Sequence, residues 1–297
     1  MTTKPDILCI GAVLWDIIGR SASAMRVGSD VPGRITRLPG GVALNIAMTL
    51  RGFGLSTAVL SVIGRDAEGD DLMGAVAALG LMTEYAYRSS DLPTDRYMAI
   101  EGANGLISAI ADAHSLEAAG AKILRPLADG RLGSASAPYA GTVALDGNLT
   151  VALLSECAQS PLLAGADLRV APASPGKAER LLPFLAHGRA TLYVNCEEAG
   201  LICKREFASA GAAAEALRTR GAQRALVTHG GKEAAFCDAG DLIVMRPPEV
   251  LVSRVTGAGD TFMAGHIAAE LRGAGPDEAL DSALKAAAVY VSGETPT

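Results

Sequence analysis

Thr256-Gly-Ala-Gly-Asp-Thr-Phe262 sets an acidic side chain directly after a run of small residues, where a glycine-rich loop gives way to a helix with one apolar face. Small residues let a ligand approach the backbone, and the first helical turn points unpartnered N–H groups and the positive end of the helix dipole outward. Such a turn, made here by Gly257, Ala258 and Gly259, holds an anion. Asp260 is the unexpected part, because a carboxylate repels a phosphate. It makes sense if a hydroxyl attacks a phosphoryl group there and needs a base to accept its proton. The competing reading is an Asp N-cap at a Gly-rich turn.

Other polar residues fall at places where an α/β chain builds sites. Pro39-Gly40-Gly41 opens a helix that ends at Gly54 and carries Asn45, an amide able to donate and accept, about one turn in. Asp16 follows the apolar run Ile7 to Val13, at the carboxyl end of a buried strand, where it can accept two hydrogen bonds from neighbouring hydroxyls. Asp146-Gly-Asn148-Leu and Pro172-Ala-Ser174-Pro-Gly-Lys177 follow two further strands and suit hydroxyl, base or phosphate recognition, or simply turn chemistry. Asn195-Cys-Glu-Glu198 puts an amide and a carboxylate at a helix start, a pair that can order Mg²⁺ through water or form a capping box. Thr228-His-Gly230-Gly-Lys232 closes another strand, and His229 stands alone at a glycine turn without the partners of a base.

These residues need a scaffold that brings strand ends together. Apolar runs at 7–13, 58–63, 142–145, 168–171, 191–194 and 224–228 alternate with helical stretches such as 69–79 and 208–220, the pattern of a doubly wound, mostly parallel sheet. Two excursions break the alternation. Residues 17–38 are rich in β-formers (Val27, Val31, Ile35, Thr36), and residues 92–112 contain a hairpin, Arg96 to Glu101 and Leu106 to Ala111, around Gly102-Ala-Asn-Gly105. No repeat, low-complexity tract or polar linker divides the chain, so residues 1–297 are expected to form one α/β domain.

Composition narrows the function classes. A 297-residue chain that is 49% hydrophobic can bury a large core, and its formal charge of -6 without long runs of one sign argues against a nucleic-acid surface. Five scattered cysteines without a C-x-x-C pair read as reduced thiols, and four histidines apart from them make a zinc site unexpected. With no signal-like apolar run and no membrane-length segment, a cytoplasmic protein without a membrane partner is expected.

Residues 256–262 together with Gly40-Gly41 and Asn45 resemble the two signatures of the ribokinase-like (PfkB) sugar and nucleoside kinases, in the family's order. The resemblance implies a kinase using ATP and Mg²⁺, with Asp260 as base and the amides of Gly257, Ala258 and Gly259 holding the γ-phosphate. It implies that Asp16, Gly40, Gly41 and Asn45 hold the sugar and that the two excursions form a β-sheet lid, through which a homodimer can form. Asn195 and Glu198 fall on the family's metal and phosphate motif, Thr228 and Gly230 along the nucleotide, and the alanine-rich helix from Leu280 to Val291 beside adenine. Asn148, Ser174 and Lys177 match patterns of the pseudouridine kinase branch, which implies transfer to the 5′-hydroxyl of pseudouridine. The alternatives are a kinase of a free sugar, ribose or a ketose, and a non-catalytic sugar or nucleoside sensor. A dehydrogenase is disfavoured because no Gly-x-Gly-x-x-Gly follows the first strand. This chain departs from the family pattern at Leu14, where an Asn is usual, and at Glu233, where a glycine is usual. It departs again at Arg254, where many members have an Asp that helps bind a monovalent cation. A guanidinium cannot ligate K⁺ but can supply its charge, so activity independent of K⁺ is expected.

Overall fold

In the computed structural model, which describes residues 4–293 except Val27 and Ala186, the apolar runs form one eight-stranded sheet. Its strands are β1 (Ile7–Ile10), β4 (Thr57–Leu60), β9 (Thr142–Asp146), β10 (Asp167–Ala171), β11 (Ala190–Asn195), β12 (Arg224–Thr228), β13 (Ala234–Cys237) and β14 (Leu242–Met245). They run in the order β14-β13-β12-β11-β10-β9-β1-β4. Neighbours from β4 to β12 are parallel, while β12, β13 and β14 are antiparallel. The sequence reading missed this antiparallel edge, whose hairpin closes where His229 N–H donates to the Glu233 carbonyl at 2.8 Å.

Alternating side chains send the core to both faces, as a parallel sheet requires. Leu8, Ile10, Leu145 and Leu192 pack with α3 (His114–Ala119), α4 (Val151–Gln159), α5 (Cys196–Cys203) and α6 (Ala210–Thr219). Ile7, Cys9, Ala144 and Tyr193 pack with α1 (Val42–Gly52), α2 (Ala67–Ala78), α7 (Ala258–Leu271) and α8 (Pro276–Ser292). Each fully buried Leu, Ile or Phe contributes roughly 1.5–3 kcal/mol of transfer free energy, so this aliphatic core needs few aromatics. The five cysteines are unpaired thiols, and among the described residues no helix is long and apolar enough to cross a membrane.

The two excursions meet in a separate four-stranded sheet of order β3-β2-β7-β8, made of β2 (Leu14–Arg20), β3 (Arg34–Gly40), β7 (Arg96–Gly102) and β8 (Gly105–Asp112). The expected hairpin is β7 and β8, whereas Val27 lies outside the described residues. Two boundaries need correction. Asp16 is not at the end of β1 but inside β2, because Gly11 to Val13 turns the chain out of the main sheet first. The run 58–63 splits into β4 and β5 (Val62–Gly64), which pairs with β6 (Tyr87–Ser89).

Helix α7, which begins at the glycine-rich turn, is anchored from behind by a buried polar cluster. Its Glu270 is paired with Arg169 of β10 and Arg224 of β12, and its fully buried His266 meets the Tyr193 hydroxyl at 2.9 Å. Burial lowers the His266 pKa to about 3, so the ring is neutral. Removing one partner of a buried pair leaves the other charge uncompensated. Glu270→Ala is therefore expected to destabilise the protein by about 3 kcal/mol in urea unfolding.

Candidate active site

The loops at the carboxyl ends of the parallel strands, the start of α1 and the start of α7 converge on one site. Gly41 is the N-cap of α1 with φ 100°, and a Cβ there would lie 2.4 Å from the Ala12 carbonyl oxygen, so only glycine fits. Gly40 packs as tightly, since a Cβ on it would lie 2.0 Å from Asp16 Oδ2. The same helix carries Asn45, whose Nδ2 donates to Asp260 Oδ2 at 2.9 Å. Gly257, at φ 90°, is the N-cap of α7, which starts without a side-chain cap. Asp260 is thus not an N-cap, and its carboxylate is turned to Asn45 of α1.

Among the described residues, the N–H groups of Gly257, Gly259 and Asp260 donate to no protein acceptor, which leaves them for an anion. The expectation for Ala258 is corrected: its N–H donates to the Val255 carbonyl at 3.0 Å, closing the turn. A clasp unforeseen in the sequence holds this loop. The Tyr290 hydroxyl of α8 donates to the Thr256 carbonyl at 2.7 Å, and Arg254 stacks 3.9 Å above the Tyr290 ring. Arg254 Nε also donates to the Tyr290 carbonyl at 2.8 Å, so Arg254 does not simply point to solvent.

Burial pushes the Asp260 carboxyl up to about 7; the Asn45 hydrogen bond opposes the shift, and the charges of Asp146, Asp16 and Glu198 add to it. Burial alone raises Asp16 to about 6. A carboxyl titrating near neutrality suits a general base. Asp146, quoted in sequence only as part of a polar turn, proves to be a fully buried carboxylate of the same site. Lys177 Nζ donates to Asn148 Oδ1 at 2.6 Å, and burial, followed by the charge of Arg180, lowers the lysine pKa. Ser174 is exposed and its side chain makes no cap hydrogen bond.

Asn195 and Glu198 form the capping box, each side chain accepting the other's backbone N–H at 2.8 Å. This leaves the second Glu198 oxygen and the Asn195 amide group free, and burial raises the Glu198 carboxyl to about 7, the Asn195 N–H opposing. Among the described residues no cluster of three or more His, Cys, Asp or Glu could enclose a metal. One oxygen donor beside a phosphate site fits Mg²⁺, which keeps several waters and is held by few protein groups. Thr228 pairs with Asn195 on the adjacent strand and Gly230 turns with φ 56°, so these two flank the capping box rather than Asp260. Glu233 accepts the Ala210 N–H at 3.1 Å, which ties the β12 hairpin to α6.

A buried carboxyl at about 7 implies a linkage between pH and stability. The folded pKa lies above the unfolded value of about 3.9, so its stabilising effect is complete below that value and is lost as pH rises to about 7. Asp260→Asn stays neutral throughout. Its melting temperature relative to wild type is expected to increase from pH 4 to about 7 and then level off, whereas a constant difference would contradict the raised value.

Residues 4–296 match the model described as "pfkB family carbohydrate kinase". The chain is 28% identical over 279 residues to the uncharacterized sugar kinase YeiI of Escherichia coli (strain K12), covering 92% of this chain and 74% of that protein. It is 24% identical over 269 residues to the pseudouridine kinase of the same organism, covering 89% of this chain and 83% of that one. A carbohydrate kinase from Agrobacterium tumefaciens superposes with TM-score 0.79 at 25% identity, covering 95% of this chain and 89% of that one. An Arabidopsis thaliana ribokinase, solved with ribose and ATP, shares the fold with TM-score 0.76 at 20% identity, covering 97% and 93%. The match runs through both glycine-rich helix starts and Asp260, and the chain accordingly belongs to the pfkB family of carbohydrate kinases, phosphotransferases that act on a sugar or nucleoside hydroxyl.

Proposed function

We propose that this kinase transfers the γ-phosphoryl group of ATP to the 5′-hydroxyl of pseudouridine. The observation that supports this transfer site is the Asn45 to Asp260 hydrogen bond, by which Asp260 of the glycine-rich turn meets Asn45 of the helix that Gly40 and Gly41 open. Asp260 takes the hydroxyl proton as that oxygen bonds to the γ-phosphorus and the bond to the departing ADP breaks. The free amides at the start of α7 carry the charge on the transferring group, while Asp16, Gly40, Gly41 and Asn45 hold the ribose. Asn195 and Glu198 would hold Mg²⁺ through its waters, and the ion when bound neutralises phosphate charge. Thr228 and Gly230 run along the nucleotide, and α8 supplies the wall beside adenine.

Support for pseudouridine comes from the relative of that name and from the Lys177–Asn148 pair. Pseudouridine carries a ring N–H that uridine lacks. Asn148, whose Oδ1 already accepts from Lys177, or an acceptor on the β7–β8 hairpin would lose a hydrogen bond with uridine, and a buried loss of that kind discriminates, whereas the exposed Ser174 would bond water instead. Lys177 keeps N–H donors for a base carbonyl. A free sugar such as ribose or a ketose is the competing acceptor.

A homodimer through the lid is part of the proposal. By strand register, Ile35, Met98, Ile100 and Ile110 share the face opposite Asp16, and all four are exposed. Sedimentation as a monomer at micromolar concentration would remove it.

One assay tests the reaction: ATP consumption with pseudouridine, uridine, ribose, fructose and adenosine, run on wild type and Asp260→Asn. The expected result is a kcat/KM highest for pseudouridine and a turnover in the variant lower by at least about a hundredfold with similar KM. A sugar preferred over pseudouridine would overturn the acceptor, and a fully active variant would overturn the base. Because the Arg254 guanidinium lies on Tyr290 beside the amide-lined turn, activity is expected to be equal in K⁺ and Na⁺ at constant ionic strength. Strong activation by K⁺ would refute this.

A further inference from the structure

Asp146, the last residue of β9, is fully buried and accepts three hydrogen bonds from backbone N–H groups of three separate segments. Its Oδ2 takes the N–H of Ala12 at 2.8 Å and that of Ala43 at 3.0 Å, and its Oδ1 takes that of Asn148 at 2.7 Å. Ala12 lies in the connection that leads to Asp16, Ala43 lies in the first turn of the helix that carries Asn45, and Asn148 is the partner of Lys177. The fit is close, since a Cβ on Gly11 would lie 2.2 Å from Asp146 Oδ2.

Three converging donors need an acceptor-only group, and an ionised carboxylate is the side chain of this size that offers one. Its isostere Asn would turn an NH₂ against at least one N–H, leaving a buried donor unsatisfied. The carboxylate also faces the positive end of α1. The charged groups around it are Lys177, which favours its ionised form, the buried Cys9 thiol and Asp260. Around Asp260 stand Asp16 from β2, Asp146 from β9, Glu198 from α5 and the Asn45 amide from α1, while Tyr290 of α8 senses its charge.

We propose that Asp146 is a positioning residue that fixes the Asp16 strand, the Asn45 helix and the Asn148 turn to one another, and so sets the width of the acceptor site without itself holding the acceptor. It deepens the proposed reaction and rests on it. A second effect follows from its charge. Held within the same buried site, it adds to the repulsion that makes Asp260 a stronger base, so removing it weakens that base.

The test compares Asp146→Asn and Asp146→Glu with wild type, using whichever of the five acceptors gives the highest kcat/KM. Asp146→Asn is expected to raise the acceptor KM at least about tenfold, to leave the KM for ATP within about twofold, and to move the acid limb of kcat/KM to lower pH. Asp146→Glu keeps the charge but displaces the acceptor oxygens. It is expected to raise the acceptor KM while the acid limb stays in place. A role in scaffolding alone would change kcat and both KM values together with the limb unmoved, and that result would overturn the proposal. So would an unchanged acceptor KM in either variant. Should the Asn variant not fold, the acceptor KM of the Glu variant decides. Failure of Asp260 as base would appear separately, as an active Asp260→Asn enzyme, and would leave the acceptor KM comparison standing.

Discussion

The hydrogen bond from Asn45 to Asp260 joins two helix starts that are 215 residues apart, and the site exists because both helices end on it. Each helix brings a positive dipole end and a glycine in a conformation that other residues rarely adopt; α7 also brings unpartnered N–H groups, whereas in α1 those of Ala43 and Leu44 are taken by Asp146 and the Ala12 carbonyl. One start carries the Asn45 amide, and the other carries the Asp260 carboxylate behind a turn of unpartnered amides. The bond between them sets the Asp260 carboxylate at the boundary of the two helix starts.

That arrangement gathers negative charge. The charges of Asp16, Asp146 and Glu198 act on Asp260, and burial raises the proton affinity of all four carboxyls. Such clustering costs stability, and it adds to the burial that brings the Asp260 carboxyl to about 7. At Asp146 three N–H donors and the charge of Lys177 oppose the effect of burial without cancelling it.

Helix α7 is held near both of its ends. Behind it, Glu270 and His266 reach Arg169, Arg224 and Tyr193 of the sheet; in front, Tyr290 and Arg254 hold the loop before Gly257. A helix fixed in this way keeps its first-turn amides in place before any ligand binds. Preorganised donors of that sort are where phosphoryl transfer gains most of its rate.

Much of the fold was legible in sequence because buried parallel strands leave apolar runs and helix starts leave glycines. The alternation gave the parallel core, and β7 and β8 were marked by Gly102 and Gly105. Asp260 and Asn45 were legible as residue types at fixed offsets from glycines, which is local information. Three features were not. The antiparallel edge β13–β14 carries no period distinct from the parallel strands. Ala258 was expected to offer its amide, yet the turn consumes it, because backbone partners depend on dihedral angles that residue names do not specify. Asp146 looked like a turn residue, and only the meeting of Ala12, Ala43 and Asn148 around it made it a buried ion. Sequence determined which chemical groups the chain possesses and which elements carry them. The tertiary structure decided which groups meet, and with that their burial and proton affinity, because those depend on distances between residues more than a hundred positions apart.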